Sequence, residues 1–147
     1  MSNYLTSICC SVSAERAYKA ITQEMSAWWT PMSGRFEKVG DRAKTNFGGV
    51  SYWVFEAVSL SKPHMIELEC CKSHMVSDSL DDPEEWLGTR LRFEITEQDD
   101  QSTITLTHIG LTPELQCYDI CKAGWDHYIA SSLKQHLDGV GGRPNSY

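Results

Sequence analysis

Six cysteines and five histidines are the residues of this 147-residue chain best suited to chemistry, and their spacing decides which chemistry is open to them. The cysteines fall as two adjacent pairs, Cys9-Cys10 and Cys70-Cys71, and as Cys117 with Cys121. None of these has the paired C-x-x-C spacing of a zinc site or the framework of a secreted disulfide fold. Neighbours in a strand point to opposite faces, so each adjacent pair should turn one thiol inward as a small hydrophobe and the other outward. No metal and no cofactor is expected. Acid–base work would fall to His108, but a general base needs a group that orients it. The alternation around His108 places no carboxylate beside it, and Glu94 alternates outward. His108 is therefore expected to be a core histidine hydrogen-bonded within the protein. A thiolate pair with Cys121 would lack a local cation or helix N-terminus to lower the thiol pKa. No catalytic residue is assigned. The acidic run at residues 77–85 has no glycine to shape a calcium loop and is expected to be solvated.

The elements that must position these groups follow from periodicity. Residues 4–12 alternate as Tyr4, Thr6, Ile8, Cys10, Val12 against Leu5, Ser7, Cys9, Ser11, which predicts a strand with one better-buried side. Ser13 caps a following helix with Glu15 in its first turn. Its apolar pattern runs through Ala17, Tyr18, Ala20, Ile21 and Met25 to Trp28-Trp29, where Pro31 stops it. Adjacent indoles on one helix cannot both face a core, so at least one is expected at an edge, over a cavity mouth or exposed; the reading favoured is one in the core and the other lining the entrance. If Trp28, Trp29, Pro31 and Met32 were exposed together, they would suit a homodimer contact; Trp53 and Trp86 carry the same ambiguity.

Gly48-Gly49 predicts a hairpin between strands at 43–47 and 51–60, and Lys62-Pro63-His64 a turn before a strand at 65–71. Leu91, Phe93 and Ile95 then share one face of a strand, as do Ile104, Leu106 and His108 on the strand that returns. Finally, Cys117, Ile120, Cys121, Gly124, Trp125, Tyr128, Ser132, Leu133 and Leu137 fall on one stripe of a long amphipathic helix. Within that stripe the small Gly124 and Ser132 would let a sheet approach closely in one place and stand off in another. Strand, helix pair, about six strands and a long helix make an α+β layout, with helices on one side of an antiparallel sheet.

Composition narrows the partners. A net charge of -7 without a basic cluster argues against nucleic acid. No apolar run is long enough to span a bilayer, and the first residues lack a basic and apolar leader, so a cytoplasmic protein is expected.

Four motifs in order carry a resemblance over essentially the whole chain. These are Trp28-Trp29-Thr30, Glu85-Trp86-Leu87-Gly88-Thr89, Thr103-x-Thr105-Leu106-Thr107-His108-x-Gly110-Leu111, and Gly124-Trp125 through Leu133-Lys134 to Gly139-x-Gly141. Together they resemble the START-like, birch-pollen-allergen-like SRPBCC superfamily, in the branch named for activators of the heat-shock protein ninety ATPase. The resemblance implies one domain over residues 1–147 with a helix-grip fold. In that fold a curved antiparallel sheet of six or seven strands wraps around the C-terminal helix and leaves a cavity between them. It implies a ligand-binding set of Phe93, Leu106, His108, Cys121, Gly124, Trp125 and Tyr128. The partner implied is an apolar small molecule such as a lipid, sterol or polyketide, bound without chemistry. The rival expectations are a protein-interaction module related to the chaperone activators, and a cyclase or hydrolase acting in the same cavity. The chain has no counterpart of the extra N-terminal domain of a full co-chaperone, which favours the cavity over chaperone activation.

Overall fold

Alternation at period two builds the sheet, and its register brings the inner residues into columns. The computed structural model describes residues 2–47 and 50–145, so the expected Gly48-Gly49 turn lies outside the described residues. The strands are β1 (Tyr4–Cys10), β2 (Arg42–Phe47), β3 (Ser51–Ser61), β4 (Met65–His74), β5 (Arg90–Gln98) and β6 (Gln101–Ile109). They form one antiparallel sheet in the order β1-β6-β5-β4-β3-β2. Leu91 pairs with His108, Phe93 with Leu106 and Ile95 with Ile104, while Ile66 pairs with Phe93 and Leu68 with Leu91. All of these are buried on the inner face. On the outer face Arg90 bonds Glu67 at 2.7 Å and Glu69 at 3.0 Å across the β4–β5 pair. Register shifts at Val54/Phe55 and Ala57/Ser59 bend β3 against β4, which is how a flat ladder acquires the curvature to wrap a helix.

Helix α1 (Ala14–Gln23) begins where Ser13 accepts the Arg16 backbone N–H at 3.1 Å. Its buried stripe includes Ala17 and Ala20, whose small side chains let it lie close over β5 and β6. A short α2 (Met25–Trp28) follows. Trp28 and Trp29 are both buried, 0% and 2% exposed, with Trp28 in the core and Trp29 on the wall of the cavity beside the last helix. The helix ends between them. Trp29 leaves helical geometry at φ -109°, ψ -80°, so the two rings need not be set one helical step apart. Trp28 Nε1–H donates to the Ala20 carbonyl at 2.9 Å. With both rings inside, the exposed indole pair proposed for a homodimer contact is not present.

The chain closes with α3 (Tyr118–His127), a π-helical turn (Tyr128–Leu133) and α4 (Lys134–Leu137), one continuous helix with a widened middle. Cys117, Cys121, Trp125, Ile129, Ser132, Leu133 and Leu137 are buried along it. Ile120 is not; at 51% exposure it flanks the stripe rather than joining it. The π turn and α4 lie against β1. Beyond α4 the chain turns back at Gly139 and Gly141, both with positive φ. There the Arg143 N–H donates to Ser132 Oγ at 2.7 Å, Ser132 Oγ–H donates to the Trp28 carbonyl at 2.6 Å, and the Asn145 N–H donates to the Trp29 carbonyl at 2.6 Å. This return segment straps the last helix to the Trp28-Trp29 corner. The helix-grip architecture is as expected, with six strands. Each adjacent cysteine pair splits in and out as the alternation requires: Cys10 and Cys70 are buried, Cys9 is exposed and Cys71 half-buried, and all six thiols are free.

Candidate functional site

Between α3 and β3 the helix stands away from the sheet and leaves a cavity of about 320 Å³. Its walls are four indoles, those of Trp29, Trp53, Trp86 and Trp125, with Phe47 and Tyr128 beside them and Met75, Val76, Leu80 and Ile120 toward the rim. Strand alternation aims Trp53 inward with Phe55 and Ala57. Helical spacing does the same for Cys121 and Trp125. Trp86 is placed by its neighbour. The Glu85 carboxylate accepts the backbone N–H groups of Gln116 and Cys117, both at 2.9 Å, and so caps the N-terminus of α3 from the preceding loop. That clamp brings the next residue, Trp86, against the helix.

The indoles form one stacked pair and one tilted pair, side by side. Trp53 and Trp86 lie 4.2 Å apart at 19°, and Trp29 and Trp125 4.9 Å apart at 36°. The pairs meet at 6.0 Å between Trp86 and Trp125 and at 6.2 Å between Trp29 and Trp53, within 16° of parallel in both cases. Phe47 meets Trp53 edge-on at 5.5 Å, and Tyr128 meets Phe47 edge-on at 5.9 Å. The result is a slab of nearly parallel rings with two upright rings at its side, rigid and almost wholly apolar.

Polar groups near this slab are spent on one another. Trp125 Nε1–H donates to His108 Nδ1 at 3.0 Å. An accepting Nδ1 puts the imidazole proton on Nε2, which donates to Thr89 Oγ1 at 3.0 Å. The Thr89 hydroxyl in turn donates to the Trp86 carbonyl at 2.7 Å. Burial pulls the His108 pKa down from 6.5 to about 3, so the ring is neutral at pH 7. It has no free lone pair for a substrate. Trp86 Nε1–H donates to Cys121 Sγ at 3.2 Å. Of the thiols at 117 and 121, Cys121 gives up its proton first, because the Cys117 thiol and then the Trp86 N–H stabilise its thiolate. Among the described residues Trp53 Nε1 is buried with no partner.

Of the residues assigned to the site from sequence, Cys121, Gly124, Trp125 and Tyr128 line the cavity. Phe93, Leu106 and His108 do not. They are fully buried where the helix and sheet are in direct contact, and His108 packs edge-on against Trp86 at 4.6 Å. The cavity opens toward β3 and residues 75–86, whereas the alternation of β5 and β6 pointed elsewhere. Gly124 also departs from its expected role, since a Cβ built there would meet nothing within 4 Å; it borders open space. Close approach occurs instead at Gly142, where a Cβ would lie 2.5 Å from the Ala27 carbonyl and 3.2 Å from Ser132 Oγ. Phe47, Met75 and Leu80 went unassigned. The only sequence signal for the sheet side was the Trp53, Phe55, Ala57 alternation.

A larger and more open groove, about 780 Å³, runs between α1 and residues 36–39. Arg16, Lys19, Glu37, Lys38 and Lys62 line it, a composition suited to water rather than an apolar guest. Among the described residues, no group of three or more His, Cys, Asp or Glu is arranged to hold a metal ion, and no helix is long and apolar enough to cross a membrane.

The model of the family described as Activator of Hsp90 ATPase homolog 1-like protein matches residues 11–138. No curated protein matches the chain by sequence. Among solved structures, the Aha1 dimer from Colwellia psychrerythraea is similar at 24% identity, with a TM-score of 0.76 over 95% of this chain and 98% of that one. DynU16, from the dynemicin biosynthetic locus, is similar at 12% identity with a TM-score of 0.74; the match covers 97% of this chain and 49% of that one. PFC0360w, an HSP90 activator from Plasmodium falciparum, is similar at 16% identity and a TM-score of 0.64, over 88% of this chain and 91% of that one.

Proposed function

The chain belongs to the Activator of Hsp90 ATPase homolog 1-like family, and from that membership together with the cavity we propose that it binds a small apolar molecule and holds it without reaction. The observation that carries this is the indole-walled space of about 320 Å³, lined by Cys121, Gly124, Trp125 and Tyr128 on the helix side. His108 braces that wall from behind, through Trp125 and Trp86, and Phe93 and Leu106 belong to the core of the sheet. A volume of this size lies near the bottom of the roughly 300–1,000 Å³ range of small-molecule sites, which favours compact ligands over sterols. Burying about 300 Å² of apolar ligand surface is worth about 7–8 kcal/mol gross. Lost freedom of motion takes back a large part, and micromolar affinity results. The neutral, fully engaged His108 supports holding over catalysis. So does a lining without Asp, Glu, Lys, Arg or His. DynU16's origin in a biosynthetic locus is consistent with a small-molecule role, and six free thiols fit a reducing, cytoplasmic setting. Native mass spectrometry of the purified protein against fatty acids, sterols and aromatic polyketides tests the proposal. Retention of a compact apolar ligand at one-to-one stoichiometry supports it, and failure of every class removes it.

A second reading, a protein-interaction module, is favoured by Val76 and Ile120, which are 52% and 51% exposed at the cavity rim, and by the dimeric state of the Aha1 relative. Under it a second copy or a chaperone would cover that rim. Concentration-dependent dimerisation in sedimentation, or stimulation of a chaperone's ATPase by the purified protein, would favour this reading over the first.

A further inference from the structure

We propose that Cys121, with Cys117 as its hydrogen-bond donor, is a covalent capture site, and that the cavity takes apolar α,β-unsaturated carbonyl compounds and fixes one per chain to the Cys121 sulfur. This rests on the small-molecule reading above and adds to it. A ligand without an electrophilic carbon is held reversibly, one that carries such a carbon is trapped, and neither is turned over. Among the described residues Cys121 brings the only thiol to the cavity lining. Its sulfur is part of a cluster. Cys117 stands one helical turn before it, as the cap of α3, and the Cys117 thiol hydrogen-bonds the Cys121 sulfur. Trp86 Nε1–H donates to the same sulfur at 3.2 Å. Two donors directed at one sulfur favour its thiolate, the nucleophilic form. The Cys117 bond, and after it the Trp86 bond, hold the Cys121 thiol below the usual cysteine range, against burial and the Glu85 carboxylate, which push it the other way. Cys117 is fully buried and keeps its own proton, whereas Cys121 stays 8% exposed at the cavity wall. The pair thus divides into a donor in the core and an acceptor at the cavity.

The other thiols lack this combination. Burial raises the Cys10, Cys70 and Cys71 thiols. Cys9 is exposed and borders neither the cavity nor the groove beside α1, so a polar reagent meets it first and an apolar one gains nothing there. The step at Cys121 is a conjugate addition. The thiol proton passes to water, the thiolate bonds to the β-carbon, the C=C π pair moves to the carbonyl oxygen as an enolate, and the α-carbon takes a proton back from water. The net change adds S–H across the double bond, and no oxidant or reductant is consumed.

N-Phenylmaleimide and N-(2-hydroxyethyl)maleimide make the test, since they carry the same electrophile and differ in the group the cavity would bury. Timed labelling of wild type with peptide mass mapping reads the rates at Cys121 and Cys9. The proposal expects the Cys121-to-Cys9 rate ratio to be at least about tenfold higher for the phenyl reagent, as transfer of a phenyl group from water to an apolar wall requires. It also expects the Cys121 rate to saturate with the phenyl reagent's concentration. Cys117→Ala should slow labelling at Cys121 by about three- to tenfold with either reagent, the size of one hydrogen bond, and leave Cys9 unchanged. The same ratio for both reagents, a Cys121 left unlabelled while Cys9 reacts, or an unchanged Cys121 rate in folded Cys117→Ala overturns the capture site. Should Cys117→Ala not fold, the wild-type ratios decide alone. If capture fails and naphthalene still binds wild type by calorimetry, the small-molecule reading stands; if naphthalene does not bind either, both fall.

Discussion

Trp125 donates its indole N–H to Nδ1 of His108 across 3.0 Å, and that one bond fixes the imidazole's tautomer and the attitude of a cavity wall, while burial keeps the ring neutral. A protonated His108 would turn a second N–H toward the indole N–H, donor against donor. The wall and the histidine therefore keep their geometry only while the ring is neutral.

Acid should destabilise the fold through this residue. The unfolded imidazole takes up a proton near pH 6.5, while the buried ring resists until about pH 3. The stability this contributes is fully present above pH 6.5 and is lost as pH falls toward 3, at up to about 1.4 kcal/mol per pH unit. Urea denaturation between pH 7 and pH 5 should show the decline in wild type and a flatter profile in His108→Ala. The variant should also be less stable at pH 7 by about 2–4 kcal/mol, because it strands the Trp125 N–H and leaves a void. Equal pH slopes in the two proteins would contradict the assignment.

Gly142 is held by contact rather than by conformation. A methyl group there would meet the Ala27 carbonyl at 2.5 Å, forcing the return segment off Ser132 and Trp29. Gly142→Ala should lower stability by about 1–3 kcal/mol. Gly124→Ala should do the opposite and gain up to about 1 kcal/mol, since it adds helix propensity into open space. Thermal melts of the two variants check both signs.

The thiols should react in an order set by exposure and ionisation. Cys9 is exposed and alkylates first. Burial pushes the Cys70 thiol up to about 12 and holds it inert in the folded protein. Cys121, at the cavity wall with the Trp86 N–H on its sulfur, should follow Cys9 and slow when a ligand is bound. Timed iodoacetamide labelling with peptide mass mapping, with and without naphthalene, measures this. Protection of Cys9 in place of Cys121 would contradict the location of the site.

Much of this architecture was legible because period two and period 3.6 are written directly into β5, β6 and the last helix. Leu91, Phe93 and Ile95 face the core as their alternation requires. What the pattern could not give was where the helix parts from the sheet, because inward-facing residues look alike whether they touch the opposite layer or border a space. Phe93 and Leu106 were therefore placed in the cavity with Trp125, although only Trp125 reaches it. Trp28 and Trp29 divide between the core and the cavity wall. Their shared burial depends on a helix that ends between them, a stop that Pro31 marks to within a few residues without fixing the exact position. Trp86 was visible as part of a motif, but its role depends on the Glu85 clamp, a contact spanning more than thirty positions in the chain.

The central claim is that the space beside Gly124 receives a ligand, and a calorimetric titration of naphthalene into wild type and Gly124→Leu tests it most directly. The account predicts saturable one-to-one binding to wild type at micromolar affinity and its loss in the leucine variant, whose side chain fills the cavity while the helix is retained. Equal binding to both proteins, or no binding to wild type, would contradict it.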